Sequence, residues 1–395
     1  MLSGNSQNSS AHYHNLKTIF MTVYDAGQIT KRELQERTSL SWGSVSMMTD
    51  ELISLGYLTE TGKTPGSLGR RASLLGINKE ANSIVGIDLN LNGITAVATD
   101  MYNNVKEQYT VRIEDFTADS VLKSLFEAAD MILSKKGIGT VRGIGIAVQG
   151  PLDVNRGISF SIPQIRDWHN IRLAELFEKR YGIKTFLLHD PDCLLMAEKA
   201  SRDRRSDLIE KNVALVRLDQ GVGLSMIVNG HISTIGYSSE FGHTCVNPEG
   251  TECVCGNRGC LEVYASENGI VNRFRQESNG KYPDNPGIDG ITALAGAGDP
   301  LCSRLMKEMY SYFGLSLSIL ANMFPIDTII LYGGFAETVR KYKGELEAVF
   351  SSHIFLHRSI PIRFSELDTN APAVGASLWA TKNILRSLSF AETEE

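Results

Sequence analysis

The 395-residue chain reads as an α/β protein in which a small winged helix-turn-helix precedes a larger, two-lobed domain. Three patterns predict this. The first 77 residues carry three short helical stripes, then two strands around a Gly/Pro-rich tip. A strand-turn-strand unit beginning at Ile84 returns roughly 130 residues later at Val213. Helical segments and further strands follow each copy, which is the pattern of mixed sheets covered by helices.

Composition sets the outer limits. A chain of this length exceeds one ordinary domain of roughly 100 to 200 residues. It is 42% hydrophobic and 21% charged, and no apolar run reaches the roughly 18 residues of a membrane span. Met1 to His14 is rich in Ser and Asn and lacks the apolar core of a signal peptide, so the expected location is the cytoplasm, without membrane insertion. The net charge of −6 argues against a uniformly basic nucleic-acid coat. Residues 1–80 hold eight Lys/Arg against seven Asp/Glu, leaving 31 against 38 in the remainder. A near-neutral start on an acidic body suits a small DNA-reading module on a soluble sensor.

In the first unit, Leu16, Ile19, Phe20 and Val23 form one helical stripe, and Gly27 stands where that helix can stop. Thr30-Lys31-Arg32-Glu33 has the form of a capping box and opens a short second helix with Leu34 inward. After a turn at Thr38 to Leu40, Ser41 can cap a third helix that turns Val45, Met48, Leu52 and Leu55 toward the core. That leaves Trp42, Ser44, Ser46 and Thr49 for base edges and phosphates in a major groove. Tyr57 to Glu60 and Ala72 to Ile77 read as strands around a wing at Gly62 to Gly69. Arg70 and Arg71 follow, where two guanidiniums can reach backbone phosphate. The competing readings are a three-helix bundle for protein contacts and a solvated linker for the Arg pair.

Beyond Asn78 the period changes to two. Ile84 to Leu89 is a strand, Asn90 to Gly93 a turn and Ile94 to Thr99 the returning strand. Val213 to Leu218, Asp219 to Gly223 and Leu224 to Val228 repeat the design and end in an Asn229-Gly230 hairpin turn. Helices are predicted over Ala118 to Lys135 and Leu301 to Met323, with strands at Val141 to Val148 and Thr328 to Tyr332. Two such lobes leave a cleft where strand-end carboxylates and glycine turns converge on a ligand.

The most specific chemistry is His243 followed by Cys253, Cys255 and Cys260, with nine, one and four residues between successive candidates. One imidazole and three thiolates complete a tetrahedral zinc set and leave no open position for an activated water, so the expected zinc is structural. Disulfides are the competing reading, which a reducing compartment disfavours. Cys193, Cys245 and Cys302 read as small buried hydrophobes, with Cys245 near enough to His243 to be an alternative ligand.

Glu240-Phe241-Gly242-His243, followed by Cys-x-Cys-Gly-x-x-Gly-Cys-x-Glu ending at Glu262, resembles the ROK signature (repressors, open reading frames, sugar kinases). The resemblance covers nearly the whole chain. Residues 14–77 are similar to the winged-helix domain of its repressor branch, the NagC/Mlc/XylR-like proteins. Gly69-Arg70-Arg71-Ala72 matches that branch's domain junction. Further landmarks fall at Gly145 to Pro151, Trp168, His189-Asp190, Leu331 to Gly334 and Ala373 to Ala376. It implies a flexible arm over residues 1–13, a winged helix-turn-helix over 14–77, and an actin-like (ribonuclease H-like) ROK sugar-kinase fold over 78–395. The lobes would span about 78–190 and 191–380, with a C-terminal helix over 373–390.

By the same resemblance, Glu240, His243 and Glu262 point at sugar hydroxyls, with His189 and Gln164 beside them. His243 gives one ring nitrogen to zinc and the other to the ligand. Asp190 matches the carboxylate that in the kinases takes a proton from the attacked hydroxyl; its bland alternative is a helix cap. The phosphate loops depart from the kinase pattern. Asp88-Leu89-Asn90-Leu91-Asn92-Gly93 replaces Asp-x-Gly-Gly-Thr-Lys, and Asp219-Gln220-Gly221-Val222-Gly223 puts a carboxylate where phosphate charge would come. The implied protein is a non-enzymatic, sugar- or sugar-phosphate-responsive repressor acting as a homodimer, or a tetramer, on double-stranded operator DNA, with Asp190 a vestige of catalysis. Two rival readings are an ATP-dependent sugar kinase with a fused DNA-binding head and a large domain that binds a protein partner.

Overall fold

The computed structural model describes residues 5–64, 71–205, 212–232, 239–282 and 286–387. The head comprises α1 (Asn5–Ala26), β1 (Gln28–Thr30), α2 (Lys31–Thr38), α3 (Trp42–Ser54), β2 (Leu58–Lys63) and β3 (Ser73–Ile77). Its strands pair antiparallel in the order β1-β3-β2. The capping box forms as the sequence requires: Thr30 accepts from the Glu33 N–H, and the Glu33 carboxylate accepts from the Thr30 N–H at 2.8 Å. The two-helix turn and the antiparallel β2–β3 pair fit the expected winged helix-turn-helix. Strand β1 went unpredicted, being three residues squeezed between Gly27 and the cap of α2.

Three expectations for the head change. The arm over 1–13 is helical from Asn5 onward as part of α1, where His12 lies 3.0 Å from Glu51 of α3 and Tyr13 packs against the core. Leu55 is 45% exposed at the end of α3 rather than buried. Thr49 is fully buried, one turn beyond Val45 on the packed arc, and donates to the carbonyls of Val45 and Ser46. Arg70 and most of the wing tip lie outside the described residues.

The large domain holds two five-stranded sheets of the same plan. The first runs β11-β7-β4-β5-β6, formed by β4 (Asn82–Asn90), β5 (Gly93–Thr99), β6 (Val105–Val111), β7 (Thr140–Val148) and β11 (Thr185–His189). Between β7 and β11 come a small three-stranded sheet of β8 (Leu152–Asp153), β9 (Ile158–Ser161) and β10 (His169–Ile171), and helix α5 (Leu173–Tyr181). The second runs β14-β13-β12-β15-β16, formed by β12 (Val213–Leu218), β13 (Val222–Val228), β14 (His231–Ile232), β15 (Thr328–Tyr332) and β16 (Ile362–Phe364). In each, an antiparallel meander of three strands is extended by two parallel strands. The internal repeat is therefore a repeat of whole sheets.

Helices cover both faces of both sheets, as the nearly continuous apolar runs of β4, β7 and β12 demand. Helix α4 (Ala118–Leu133) places Val121, Leu125, Ala128 and Ile132 on Val85, Ile87, Ile144 and Ile146 of the first sheet. The outer face of the second sheet is covered by α7 (Leu261–Ala265), α8 (Glu267–Glu277), α9 (Gly287–Gly296), α10 (Pro300–Met323), α11 (Gly334–Lys341) and α12 (Lys343–Ser352). Between the sheets lie α6 (Asp190–Arg205) and α13 (Ala371–Ser387), packed on each other. Leu194 and Leu195 of α6 meet the second sheet, while Ala376 and Trp379 of α13 meet the first. The C-terminal helix thus packs on the first sheet, although in the chain it follows the second.

Backbone meets backbone at this interface. A Cβ on Gly86 or Gly145 would stand 1.9 Å from the carbonyl oxygens of Ala373 and Ala376, and one on Gly375 would stand 1.8 Å from that of Cys193. No side chain fits there.

The head shares this framework. Its core residues Leu16, Ile19, Phe20, Leu34, Val45 and Leu52 form one cluster with Ile84, Met101, Ala380 and Leu385 of the large domain. Tyr24 stacks on Tyr102 at 5.0 Å between centroids, and Arg142 lies 4.2 Å from the Tyr57 ring centroid. Asn82 donates to the Gly56 carbonyl at 2.8 Å. Among the described residues no helix is long and apolar enough to cross a membrane.

Gly145→Ala is expected to destabilise the chain by about 2 to 4 kcal/mol in urea unfolding, because the clash is with backbone that cannot turn away. Gly344→Ala, on open space in α12, is the matched control and should be neutral or slightly stabilising.

Candidate functional site

The cleft between the lobes encloses about 380 Å³ and is reached by Gln164, His189, Asp190, Arg217, Asp219, Glu240, His243 and Glu262. Every residue that the sequence assigned to sugar binding therefore lines one cavity. Asn90, Leu91 and Asn92 of the first hairpin and Gln220 to Gly223 of the second face each other across it. Gln220 donates to the Asn92 side chain, joining the lobes at the mouth.

The alternation of the strands decides what points inward. On β4, Val85 and Ile87 face α4, which turns Ile84, Gly86 and Asp88 toward α13 and the inter-lobe space. On β12, Ala214, Val216 and Leu218 join the outer core, which turns Val213, Leu215 and Arg217 toward α6. Asp88 and Arg217 both stand near the ends of the first strands of their sheets, one acidic and one basic. Asp190, the first residue of α6, completes the meeting point.

Arg217 is buried and donates through Nη1 to Asp190 and through Nε to Asp219 at 3.0 Å. Asp219 also accepts from the Gly334 N–H at the start of α11, at 2.6 Å. Asp88 is 3% exposed, and its Oδ1 has no hydrogen-bond partner among the described residues. Burial pushes the Asp88 carboxyl up to about 7 against the opposing pull of Arg217, with Asp190 and Asp219 adding to the rise. Sequence reasoning read Arg217 only as part of a strand. The available signal was a lone guanidinium in an otherwise apolar run two residues before Asp219.

At the other side of the cleft, Glu262 of α7 accepts from the Val222 N–H at 3.1 Å, and Gly221 gives it room. The ligand atoms of His243, Cys253, Cys255 and Cys260 all lie within 4.8 Å of one another. His243 Nδ1 is 3.7 Å from the Cys253 sulfur, and the sulfurs of Cys255 and Cys260 are 3.6 Å apart. A tetrahedral metal with bonds of about 2.3 Å to sulfur separates its ligands by roughly 3.7 Å, so the set fits one ion and is too open for a disulfide. Gly259, at φ +69°, lets the loop turn back: a Cβ there would sit 1.6 Å from the Asn247 carbonyl oxygen. Cys245 is exposed, and its sulfur faces the Arg258 carbonyl, so it is neither a buried hydrophobe nor part of the set. Cys193 and Cys302 are buried as expected.

The predicted DNA-facing residues stand in the head, apart from the cleft. Trp42 is 54% exposed at the start of α3, beside Ser44, which shares a hydrogen bond with the capping Ser41. Ser46 is partly exposed and accepts from Lys31 of α2, which also meets Asp50 at 2.7 Å. Thr49 is removed from this face by its burial, whereas Met47 joins it at 55% exposure. Arg71 is exposed beyond the wing.

Residues 84–383 match the ROK family. The chain belongs to the ROK family. Among its relatives, this ROK protein is 28% identical over 375 residues to a xylose repressor of Bacillus subtilis (strain 168), covering 92% of this chain and 94% of that one. It is 25% identical over 390 residues to the DNA-binding transcriptional dual regulator NagC of Escherichia coli (strain K12), covering 95% and 94%. The fold matches a ROK family transcriptional regulator described as a homologue of the E. coli MLC protein, with a TM-score of 0.74, 23% identity, and 95% and 96% coverage. A ROK glucokinase from Streptomyces griseus in complex with glucose and AMPPNP matches at 0.65 and 23% identity, over 76% of this chain and 99% of that one.

The raised Asp88 group has a pH signature. The native state keeps a proton that the unfolded chain releases near pH 4, so stability present below that point is lost as pH climbs toward 7. Asp88→Asn is expected to remove this loss. In urea unfolding, the stability of the variant relative to the parent should rise as pH increases from about 5 to about 8; a flat difference would show that Asp88 is ionised at an ordinary value.

Proposed function

We propose that this chain is a sugar-responsive DNA-binding transcriptional regulator, of the repressor type, whose large domain senses a sugar without phosphorylating it. The observation that carries this reading is Arg217. A catalytic base must be free to take a proton from a substrate hydroxyl, whereas Asp190 is held by a buried guanidinium. The relatives that span the chain from head to C-terminus bear repressor or regulator names, and the element order of the head supports a DNA-reading role.

In this reading Glu240, Glu262 and Asp190 accept sugar hydroxyls, with His189, Gln164 and His243 completing the ring of contacts. The His243, Cys253, Cys255 and Cys260 set holds a structural zinc, which fixes the imidazole while Nε2 stays available to the ligand. Trp42, Ser44, Ser46, Arg70 and Arg71 contact DNA. A homodimer presents two such heads to half-sites about 34 Å apart. Because head and first lobe share a core, sugar closing the cleft would re-space the heads by moving lobes as bodies.

A fluorescence-anisotropy titration on sequences selected by the full chain tests the sensor. The effector should shift DNA affinity by roughly 5- to 150-fold. Glu262→Ala should bind DNA like the parent and lose that shift; retention of the full shift would remove Glu262 from the sugar site. Elemental analysis should find one zinc per chain, and Cys260→Ser should lose it together with about 2 kcal/mol or more of stability. Measurable phosphorylation of a hexose, abolished in Asp190→Asn, would restore the kinase reading.

A further inference from the structure

We infer that the cleft takes an uncharged sugar and rejects its phosphate esters. This rests on the sugar-sensing reading above and narrows its ligand class.

Among the described residues, the acidic and basic groups that line the cleft are Asp190, Asp219, Glu240 and Glu262 against Arg217, with no lysine. Arg217 is not available to a ligand anion, since two carboxylates already hold it and a third, Asp88, lies buried in the same cluster. Two backbone donors placed to cradle a phosphate are also taken. The Val222 N–H in the second hairpin serves Glu262, and the Gly334 N–H at the start of α11 serves Asp219. The chain therefore fills its own anion-binding positions with carboxylates, and a phosphate would have to displace them or lie beside them. The adjoining cavity, which shares Glu262, does hold Arg273 and Arg275, but neither lines the cleft itself, and Arg273 pairs through Nη2 with Glu277 and Glu308.

Neutral hydroxyls meet none of this opposition. Carboxylates are the strongest acceptors for them, and four surround the cavity. Asp219 and the Asp190–Arg217 pair are thus the specificity-determining groups, acting by charge already in place before any ligand arrives.

Calorimetric titration of the metal-loaded full chain tests this with glucose, mannose, N-acetylglucosamine and xylose, each beside its phosphate ester. A neutral sugar is expected to bind, with its ester at least about tenfold weaker. Raising salt toward about 1 M should narrow that gap by screening the repulsion, and so should Asp219→Asn. If the variant does not fold, the salt series on the parent chain carries the test. An ester binding as tightly as its sugar, or a gap indifferent to salt, would overturn the inference and leave the sensing reading standing. Binding by no member of either class would remove both.

Discussion

The close approach of α13 to the first sheet is the contact on which the remainder of this architecture depends. At Gly86 and Gly145 the strand backbone lies directly against the helix backbone, and Gly375 lets α6 reach the same helix from the other side. The two central helices can then share one layer between two sheets. One consequence lies near the start of α6, where Asp190 comes within reach of β12. The other lies at the far end of α13, where Ala380 and Leu385 enter the core of the head. A single rod of helix thus touches both the large domain and the head.

Charge organises the cleft as strongly as packing organises the frame. A buried guanidinium costs desolvation that only close pairing offsets, and Arg217 has that pairing through Asp190 and Asp219. Asp88 is left with an unmatched oxygen and retains its proton into the neutral range. The meeting point of the two lobes is thus an acidic cluster around one internal cation. The His243, Cys253, Cys255 and Cys260 cluster lies at the opposite side, directly before the start of α7 that carries Glu262.

The misreadings were informative. Thr49 fits a polar helix face by spacing, yet tertiary packing draws the arc of Val45, Met48 and Leu52 wide enough to include it, and its hydroxyl turns back to its own helix. Leu55 errs in the opposite sense, because the helix ends before its side chain finds a partner. Both positions sit where local periodicity is sound and the orientation of a neighbouring element decides the outcome.

The motif-bearing parts were legible in the amino-acid order itself. The capping box, the repeated strand-turn-strand unit and the spacing from His243 to Cys260 are local patterns whose physics operates over a few residues. Only tertiary structure decided the packing of α13 on the first sheet, the fusion of head and sensor in one core, and the meeting of Asp88, Asp190, Asp219 and Arg217. Those four groups come from two strands, a turn and a helix separated by up to 131 positions, and no local rule relates them. Their encounter follows from the twofold repetition of a sheet, which places the ends of the first strands face to face and leaves the chemistry to whichever side chains stand there.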